Sequence, residues 1–550
     1  MKITRKKNNI KRLFVFLVCI VFAVSSMTAA NVIRTLNQIT SNENLDTDVD
    51  LVITGDIPFA PGIMVNITDT DHAVIILKAL KPSGALNQLS HIQINGSEAV
   101  NAKNCLVKIY GDGAIILPTP DGAKPLTVYT GINETGESAD FTAGDLISLE
   151  NSPVNNRIRS FLLKRGYMVC FATKSTGYGY SRVFIADTED KVINLPVILQ
   201  NSISAIRITR WNDTSKKGYA GNDMTINSAL NTTWCYNWDA GTNSWDDREY
   251  VTQHHHEGWP SITDVGNNGT SANILGNNEP DNTNDNREHL STVDEVLANW
   301  PAMMATGKRL GSPALSNSAN PQWLFQFLDS IDKRGWRCDF VVLHCYWYSD
   351  WSSWQSTMNW IHQKTGRPVW ITEMNYGANW TAWPGSDTNA SDANYTIEKE
   401  HMTPVIDGLE STGWIERYAI YNWVQDCRKV YDSNGMLTPI GEYYSSKKSN
   451  IAYNGNYEYI PKLPPSKGNP DHFTLNFNAE KNQAKLSWRE YDGEYNAAMW
   501  IERKRNDGAW TKLDSIPLEE DAATYTWTDY SAQNGDYYRI HIINDANEDV

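Results

Sequence analysis

The sequence predicts a multidomain protein in which a central (β/α)8 barrel of the TIM type is flanked by an N-terminal all-β region and a C-terminal β-sandwich. Three observations indicate this fold class. With 550 residues, the chain is long enough for roughly two to four domains. Its middle alternates short apolar runs with longer amphipathic stretches, as βαβ units do. The parts before and after the middle show short β-rich runs separated by Gly, Asn, Asp and Pro.

Residues 1–30 are typical of an export signal. Basic residues at positions 2–12 precede an apolar run from Leu13 to Val24, and small residues follow as far as Ala30. This order predicts a signal peptide, because the apolar run is too short to cross a bilayer. A retained N-terminal anchor is the alternative. We therefore expect a secreted, periplasmic or cell-surface protein with no membrane span in the mature chain.

The composition excludes some partners and favours others. The formal net charge is −16, and loss of the basic signal peptide makes the chain more acidic, so nucleic acid is excluded as a partner. The 21 Trp and 26 Tyr suit half-wet surfaces on which sugar rings stack, although many aromatic residues simply fill cores. Outside the signal peptide the cysteines show no metal-ligand spacing, and the compartment permits disulfides that the pattern does not require. We expect a monomer with no metal and no cofactor.

Residues 31–202 are predicted to form an N-terminal β-rich accessory region. Around a Gly-rich turn at 175–179 we predict two strands, over Ser160–Phe171 and Tyr180–Ile185. The region either binds carbohydrate or braces the next domain, and bracing is the slightly favoured interpretation. Further strands are predicted over Leu51–Thr54, His72–Leu77, Leu106–Tyr110 and Leu126–Tyr129.

Residues 203–450 are predicted to form the barrel, because eight strands with helices between them match that fold in number and size. Helices are predicted over Leu290–Met304, Gln322–Arg334 and Trp354–Thr365, where apolar residues recur three and four positions apart. The strands are predicted over Lys217–Gly221, Thr233–Trp238, Glu249–His255, Ala272–Glu279, Lys308–Pro313, Asp339–Tyr346, Pro368–Glu373 and Ile415–Trp423.

Residues 451–468 are rich in proline and predict a semi-stiff linker. Residues 469–550 then show strands at the spacing of a β-sandwich. With Leu486-Ser487-Trp488 and Tyr537-Tyr538-Arg539-Ile540 in two of these strands, the tail resembles a fibronectin type III domain that lacks a full last strand. Its strands are predicted over Phe473–Phe477, Ala484–Arg489, Ala498–Arg503, Trp510–Ile516, Thr524–Asp529 and Tyr537–Ile543.

Two glutamates are the candidate catalytic residues. Glu279 and Glu373 end the fourth and seventh predicted strands, which are otherwise largely apolar. The carboxyl ends of barrel strands converge on one pocket, and placing a carboxylate there has a desolvation cost. Two carboxyl groups on opposite walls of a pocket, roughly 5 Å apart, are what retaining cleavage of a glycosidic bond requires. For each glutamate, the alternative is a carboxylate at a helix start or on the surface.

Other side chains at the strand ends are candidates for substrate binding. Asn278 precedes Glu279 and is expected to bond the sugar 2-hydroxyl. Tyr346 is expected to donate a hydrogen bond to the Glu373 carboxylate. For the aromatic candidates, packing in the core is the alternative. The remaining candidates are Asn222, His254, His344, Trp347, Trp380, Asn422 and Trp423, of which Trp423 is the favoured sugar platform.

Three adjacent histidines, His254, His255 and His256, have several interpretations. Alternate residues of a strand face opposite sides, so only His254 and His256 can converge, and a metal site would need a third ligand from elsewhere. Hydrogen bonding of one of them to a sugar is favoured over metal binding, and packing or exposure is the other alternative. His344 either faces the pocket or is a core histidine.

Several motifs of the central segment together resemble glycoside hydrolase family 128 over residues 214–448. The resemblance implies a retaining barrel that acts on β-1,3-glucans, with Glu279 as acid/base and Glu373 as nucleophile. The third strand departs from the family, because a Met-Leu-Trp-Gly-like run is replaced by Gln253–Trp259. The motifs are Leu275–Asp281, Leu310–Ala314, His344–Trp347, Val369–Glu373, Ile415–Tyr418 and Leu437–Gly441.

The expected function is therefore an endo-acting β-1,3-glucanase whose substrate is a laminarin-like polysaccharide or its oligosaccharides. One alternative is a hydrolase of another β-linked polysaccharide, such as an algal galactan, because the third strand departs where specificity is set. An alternative from another class is a carbohydrate-binding surface protein without turnover.

Overall fold

The computed structural model describes residues 32–119, 122–241, 244–283, 290–462, 471–490, 496–506, 508–518 and 523–544. The signal peptide predicted for residues 1–30 lies outside these ranges. Within them, no helix combines the length and the apolar character needed to cross a membrane.

The first lobe, residues 32–118, is built of short strands that wind back and forth between two sheets. Successive strands alternate between two sheets, so that β1, β3 and β5 pair in parallel in one sheet and β2, β4 and β6 in the other. Apolar side chains such as Leu51, Ile67 and Ile92 fill the space between the sheets. The elements are β1 Val32–Leu36, β2 Glu43–Leu45, β3 Val49–Ile53, β4 Val65–Ile67, β5 Val74–Leu77, α1 Pro82–Leu86, β6 Ile92–Ile94, β7 Ser97–Glu98, β8 Cys105–Gly111 and β9 Gly113–Pro118.

The second lobe, residues 126–210, contains two antiparallel four-stranded sheets. The single strand predicted over Ser160–Phe171 is wrong, because Gly166 has φ +83° and turns the chain between two strands. The strands are β10 Leu126–Tyr129, β11 Ser138–Phe141, β12 Ile147–Ser148, β13 Ser160–Leu163, β14 Tyr167–Ala172, β15 Ser181–Ala186, β16 Lys191–Asn194 and β17 Ala205–Arg210.

In the central segment, residues 211–462, each of the eight predicted strands overlaps an observed one. Hydrogen bonding defines two parallel sheets rather than one closed barrel, in the orders β21-β20-β19-β27-β26-β25 and β22-β23-β24. The third predicted strand is interrupted at Val251, and Gly311 bridges Phe340 between the fifth and sixth. The strands are β18 Asp213–Thr214, β19 Lys217–Ala220, β20 Trp234–Tyr236, β21 Glu249–Tyr250, β22 Thr252–Gln253, β23 Asn273–Leu275, β24 Arg309–Leu310, β25 Val341–Cys345, β26 Val369–Met374 and β27 Ile415–Ile420.

Helices connect most of these strands and bury their apolar faces against them. Local signals set their ends: Thr292 and Glu295 form a capping box at the start of α4, and Gly366 ends α6 with φ +66°. The helices are α2 Met224–Ala229, α3 Ile262–Asn267, α4 Val293–Ala305, α5 Gln322–Lys333, α6 Trp351–Thr365, α7 Asp392–Ser411 and α8 Pro439–Ser446.

The amino-terminal halves of the parallel strands hold buried ion pairs. Arg309 donates to both oxygens of Glu416 at 2.6 and 2.7 Å, and Arg417 donates to Glu249 at 2.7 Å. All four side chains are almost completely buried. Lys216 donates to main-chain carbonyls at the end of α7, which it caps.

The two lobes are joined to the central segment by buried polar contacts. Strand β18 pairs in parallel with β8 of the first lobe. Lys108 donates to the carbonyls of Gly166 and Trp211, and so links both lobes to the start of the segment. Arg337 donates to Ser181 Oγ at 3.2 Å. These contacts join the N-terminal region to the central segment, and its role, bracing or carbohydrate binding, stays a prediction.

The linker predicted over residues 451–468 is wrong for residues 451–462, which pack on the preceding part of the central segment. Tyr453 and Tyr459 are buried, and the Tyr459 hydroxyl donates to Asp332 at 2.6 Å. Apolar burial and this hydrogen bond outweigh the local signal of the prolines.

The C-terminal sandwich consists of two three-stranded antiparallel sheets that enclose Leu486, Trp488, Ile501 and Ile542. Its resemblance to a fibronectin type III domain stays a prediction. The strands are β28 Asp471–Asn478, β29 Gln483–Glu490, β30 Asn496–Arg505, β31 Trp510–Ile516, β32 Ala523–Asp529 and β33 Asp536–Asn544.

Candidate active site

Strand ends bring Glu279 and Glu373 into one cleft. Glu373 is the fifth residue of β26, and Glu279 follows β23 by four positions. Glu279 has φ +45°, a conformation that costs a non-glycine residue energy and that neighbouring bonds must hold in place. Its main-chain N–H donates to the Ala314 carbonyl at 2.7 Å, and its carbonyl accepts from the N–H of Asn282 at 3.0 Å.

The cleft has a volume of about 950 Å³ and an aromatic wall. Trp380 and Trp423 are exposed by 73% and 53%, so their ring faces are available to a ligand. The side chains that line the cleft are Trp238, His255, Asn278, Glu279, Asn282, Ser316, Asn317, His344, Tyr346, Trp347, Glu373, Trp380, Tyr421 and Trp423.

The two carboxylates face each other across the cleft. One oxygen of each, together with one ring nitrogen of His344, lies within 4.8 Å of the others. This separation corresponds to the retaining arrangement of carboxyl groups about 5 Å apart, whereas an inverting site needs roughly 6.5 to 9.5 Å.

Neutral donors surround Glu373. The Tyr346 hydroxyl donates to Oε2 at 2.5 Å, and Trp238 Nε1 and the Tyr236 hydroxyl donate to Oε1 at 2.8 and 3.2 Å. Burial, and then the charge of Glu373, raise the pKa of both tyrosines, so both remain protonated donors. The carboxylate is therefore fixed in orientation without being neutralised by a cation of fixed charge.

Glu279 is bonded to His344 and Asn282. His344 Nδ1 donates to Oε1 at 2.8 Å and Asn282 Nδ2 donates to Oε2 at 2.7 Å. Burial acts to raise the pKa of Glu279, but the hydrogen bond and charge of His344 and the bond from Asn282 outweigh it, and the pKa is lowered. Burial lowers the pKa of His344, but the charge of Glu373 and the bond to Glu279 outweigh it, and that pKa is raised. The unliganded pair therefore holds its proton on the imidazole.

The structure places most of the predicted site residues in the cleft but three elsewhere. Asn222 lies in a neighbouring cavity. His254 is buried and its Nδ1 donates to the Pro260 carbonyl, so that His255 faces the cleft instead. The Asn422 side chain binds the backbone of a nearby loop, because its Nδ2 donates to the Tyr431 carbonyl at 2.8 Å. The predicted residues that line the cleft are Asn278, Glu279, His344, Tyr346, Trp347, Glu373, Trp380 and Trp423.

Several residues of the site were not predicted. Trp238 ended a predicted strand, a position that could have identified it as a site residue. Tyr236 is the last residue of β20, two positions before Trp238, and its hydroxyl reaches the same carboxylate oxygen of Glu373. Asn282 follows the Asn-Glu-Pro motif in a loop, where no periodicity indicates the direction of a side chain.

Among the described residues, two groups place ligand-type atoms close enough to hold a metal ion. One is Glu279, His344 and Glu373; the other is Asp48, Asp69 and His72 in the first lobe. In the first group the N–H of Trp238 and the O–H of Tyr346 point at Glu373. A cation would face these protons, and an indole N–H cannot be given up, so the donors fit a carboxylate nucleophile better than a metal ligand.

Two carboxylates that face each other across a cleft are an arrangement also found in glycoside hydrolases. Residues 211–444 match the family model described as glycosyl hydrolase catalytic core. The matched segment contains both glutamates and supports a glycoside hydrolase. No curated protein matches the chain.

Solved structures of low similarity accompany this match. A GH128 (subgroup I) endo-β-1,3-glucanase from Amycolatopsis mediterranei in complex with laminaritriose is 23% identical, with 42% of this chain and 99% of that chain covered and a TM-score of 0.37. A GH128 (subgroup VII) oligosaccharide-binding protein from Trichoderma gamsii is 21% identical, with coverages of 42% and 92% and a TM-score of 0.35. A βγ-crystallin domain from Flavobacterium johnsoniae is 28% identical, with coverages of 16% and 96% and a TM-score of 0.14.

Proposed function

We propose that this protein is a retaining endo-glycosidase that cleaves β-1,3-glucan, with Glu279 as acid/base and Glu373 as nucleophile. The observation that carries the proposal is the approach of the two carboxylates to within 4.8 Å. On this proposal the two parallel sheets form the wall of a (β/α)8 barrel, and the catalytic residues follow its fourth and seventh strands. The chain is exported by residues 1–30 and acts as a monomer.

The reaction proceeds by double displacement. Glu373 attacks the anomeric carbon, while the leaving oxygen takes a proton from Glu279, and a covalent glycosyl-enzyme forms. Glu279 then removes a proton from water, whose oxygen attacks the same carbon and releases Glu373. Asn278, which lines the cleft beside Glu279, is placed to bond the sugar 2-hydroxyl.

The proton of the first step is shared by Glu279 and His344. Although burial acts in the opposite sense on both, the hydrogen bond between them lowers the pKa of Glu279 and raises the pKa of His344. When the leaving oxygen gains negative charge, His344 Nδ1 gives its proton to Glu279 Oε1 across the 2.8 Å hydrogen bond, and Glu279 transfers that one proton to the leaving oxygen, which leaves His344 neutral and Glu279 ionised. His344 thus acts through Glu279 rather than on the sugar.

The charge of the cleft favours a neutral polysaccharide. The described lining of the cleft includes two carboxylates and neither lysine nor arginine. Sulfated glycans and glycans with uronic acids would have no lysine or arginine partner there, so their binding is disfavoured. The choice of the β-1,3 linkage rests on the family 128 motifs described above.

A glycan panel tests the proposed function. Full-length protein is incubated with laminarin, curdlan, mixed-linkage β-glucan and agar, and reducing ends are measured, with the Glu373→Gln variant as control. Laminarin and curdlan should release oligosaccharides with the β anomer formed first. Release from agar alone would identify a galactan hydrolase, and binding without release from any glycan would identify a binding protein.

A further inference from the structure

A second cavity opens beside the cleft. Its volume is about 770 Å³, within the range of small-molecule sites. It lies among the segments that follow β19, β20 and β22, which is where the third strand departs from the family pattern. The lining residues are Asn222, Asn237, Asp239, Ala240, Gly241, Trp245, Tyr250, Trp259, Pro260, Asp264, Asn267 and Asn268.

The walls of the second cavity and of the cleft are formed by neighbouring residues. Trp238 lines the cleft, whereas its chain neighbours Asn237 and Asp239 line the second cavity. On the facing side, the ring of His255 lines the cleft and lies 5.7 Å from the ring of Trp259, which lines the second cavity. The cleft and the second cavity therefore adjoin at two places, Trp238 and His255.

The chemistry of the second cavity suits a neutral sugar. Trp259 is 47% exposed and offers an aromatic face, and the half-buried Trp245 adds a second ring. Exposed Asn222 offers an amide that can both donate and accept a hydrogen bond. The described lining contains two carboxylates, Asp239 and Asp264, and no lysine or arginine, so anionic units are disfavoured.

We propose that the second cavity is a distal subsite for neutral sugar units of the same polysaccharide chain that is cleaved between Glu279 and Glu373, with Trp259 as its stacking platform. This inference rests on the proposed function and adds a consequence to it. Binding energy gained far from the reacting bond favours long chains over short ones. The loop 254–260 then selects chain length as well as sugar type.

Two substrates of different length test this proposal. Full-length wild type and the Trp259→Ala variant are compared on laminarin and on a 4-nitrophenyl laminaribioside that is too short to reach the second cavity. Loss of one aromatic platform should lower kcat/KM on laminarin about tenfold and leave the short substrate within about twofold.

A matched control separates this effect from a general loss of tryptophan surface. Trp360 is 46% exposed on α6 and packs on Phe325, away from both cavities, so Trp360→Ala should leave both substrates unchanged. Asn222→Ala removes an exposed side chain of the second cavity and should lower kcat/KM on laminarin about threefold, which keeps the test valid if Trp259→Ala misfolds.

The outcomes also separate the subsite from the proposed function. If Trp259→Ala and Asn222→Ala leave laminarin turnover unchanged, or lower both substrates equally, the subsite is overturned while the glucanase stands. If wild type binds laminarin in calorimetry but does not cut it, the proposed function fails. The subsite then stands only if the Trp259→Ala variant binds the polymer more weakly. If wild type neither binds nor cuts it, both fail.

Discussion

Two pairs of glutamates lie on or next to the same set of parallel strands, in opposite environments. Glu249 and Glu416, in the amino-terminal halves of their strands, are bonded to Arg417 and Arg309. Glu279 and Glu373, at the carboxyl ends, are bonded to tyrosine, tryptophan, asparagine and histidine side chains instead.

The comparison shows how one residue type serves two purposes. An arginine partner cancels the charge of a buried carboxylate permanently, which stabilises the pair and leaves nothing to react. Neutral donors fix the orientation of Glu373 but leave its charge available to a sugar. The imidazole beside Glu279 can gain and lose its proton, which suits the acid and base roles that we propose for this carboxylate.

The largest expected effect is that of Glu373→Ala, which removes the nucleophile. Turnover should fall by at least about 10⁴-fold on every substrate, however good its leaving group. Added azide should fill the vacated position and give the α-glycosyl azide, detected by NMR. Full activity of this variant would show that the site is misplaced.

Glu279→Ala should have a smaller and more selective effect. Loss of the acid/base should lower turnover of laminarin by about 10² to 10⁴-fold, while a 4-nitrophenyl glycoside, which needs little protonation, should still glycosylate the enzyme. Azide needs no general base and should restore turnover as the β-glycosyl azide. If the two variants gave the opposite anomers, the roles of the two glutamates would be exchanged.

Glu416→Gln tests the other half of the comparison, because it leaves Arg309 buried without its anion. The free energy of unfolding should fall by about 3 to 5 kcal/mol, as measured by denaturant titration. The kcat of the folded fraction should not change, since Glu416 does not line the cleft. A loss of kcat at unchanged stability would contradict this division between the two ends of the strands.

The smallest expected effect concerns the pH dependence of His344. The pKa of His344 is raised above the ordinary value of 6.5. Its contribution to the free energy of unfolding is therefore complete below pH 6.5 and is lost as the pH rises through its pKa in the folded protein. The pKa of Glu279 is lowered below 4.5. Its contribution to the free energy of unfolding is therefore complete above pH 4.5 and is lost as the pH falls through its pKa in the folded protein.

The stabilisation by this pair is therefore complete between about pH 4.5 and 6.5. His344→Gln should lower the free energy of unfolding by about 1 to 2 kcal/mol in this window and by less on either side. Thermal unfolding of wild type and variant across a pH series measures how this stability difference depends on pH. A difference that is independent of pH would show that the two side chains form no ion pair.

Elements with a strong local pattern could be predicted from the sequence. The eight central strands and the long helices have apolar periodicity and bounded length, and Glu279 and Glu373 stand out because each ends an apolar run. Alternation separates His254 from His255, but it does not say which of the two faces the cleft, because that depends on the neighbouring strand.

Features that depend on distant partners could not be predicted. The prolines after Tyr459 indicated a linker, yet a hydrogen bond to Asp332, more than a hundred positions away in sequence, fixes that tyrosine. The parallel strands of the first lobe have only three to five residues, and each pairs with a strand that is not its neighbour in sequence. No local signal in the sequence specifies such pairing.

Strand β18 belongs to a sheet of the first lobe, although it falls inside the segment matched by the glycosidase family. A genetic transfer of the chain from residue 211 onwards would carry Glu279 and Glu373 along. It would, however, separate β18 from β8 and the Trp211 carbonyl from Lys108. The segment that the family model matches is thus shorter than the part of the chain that these contacts join. We expect transfer of the matched segment into another gene to give a folded protein only when residues 32–462 are transferred together.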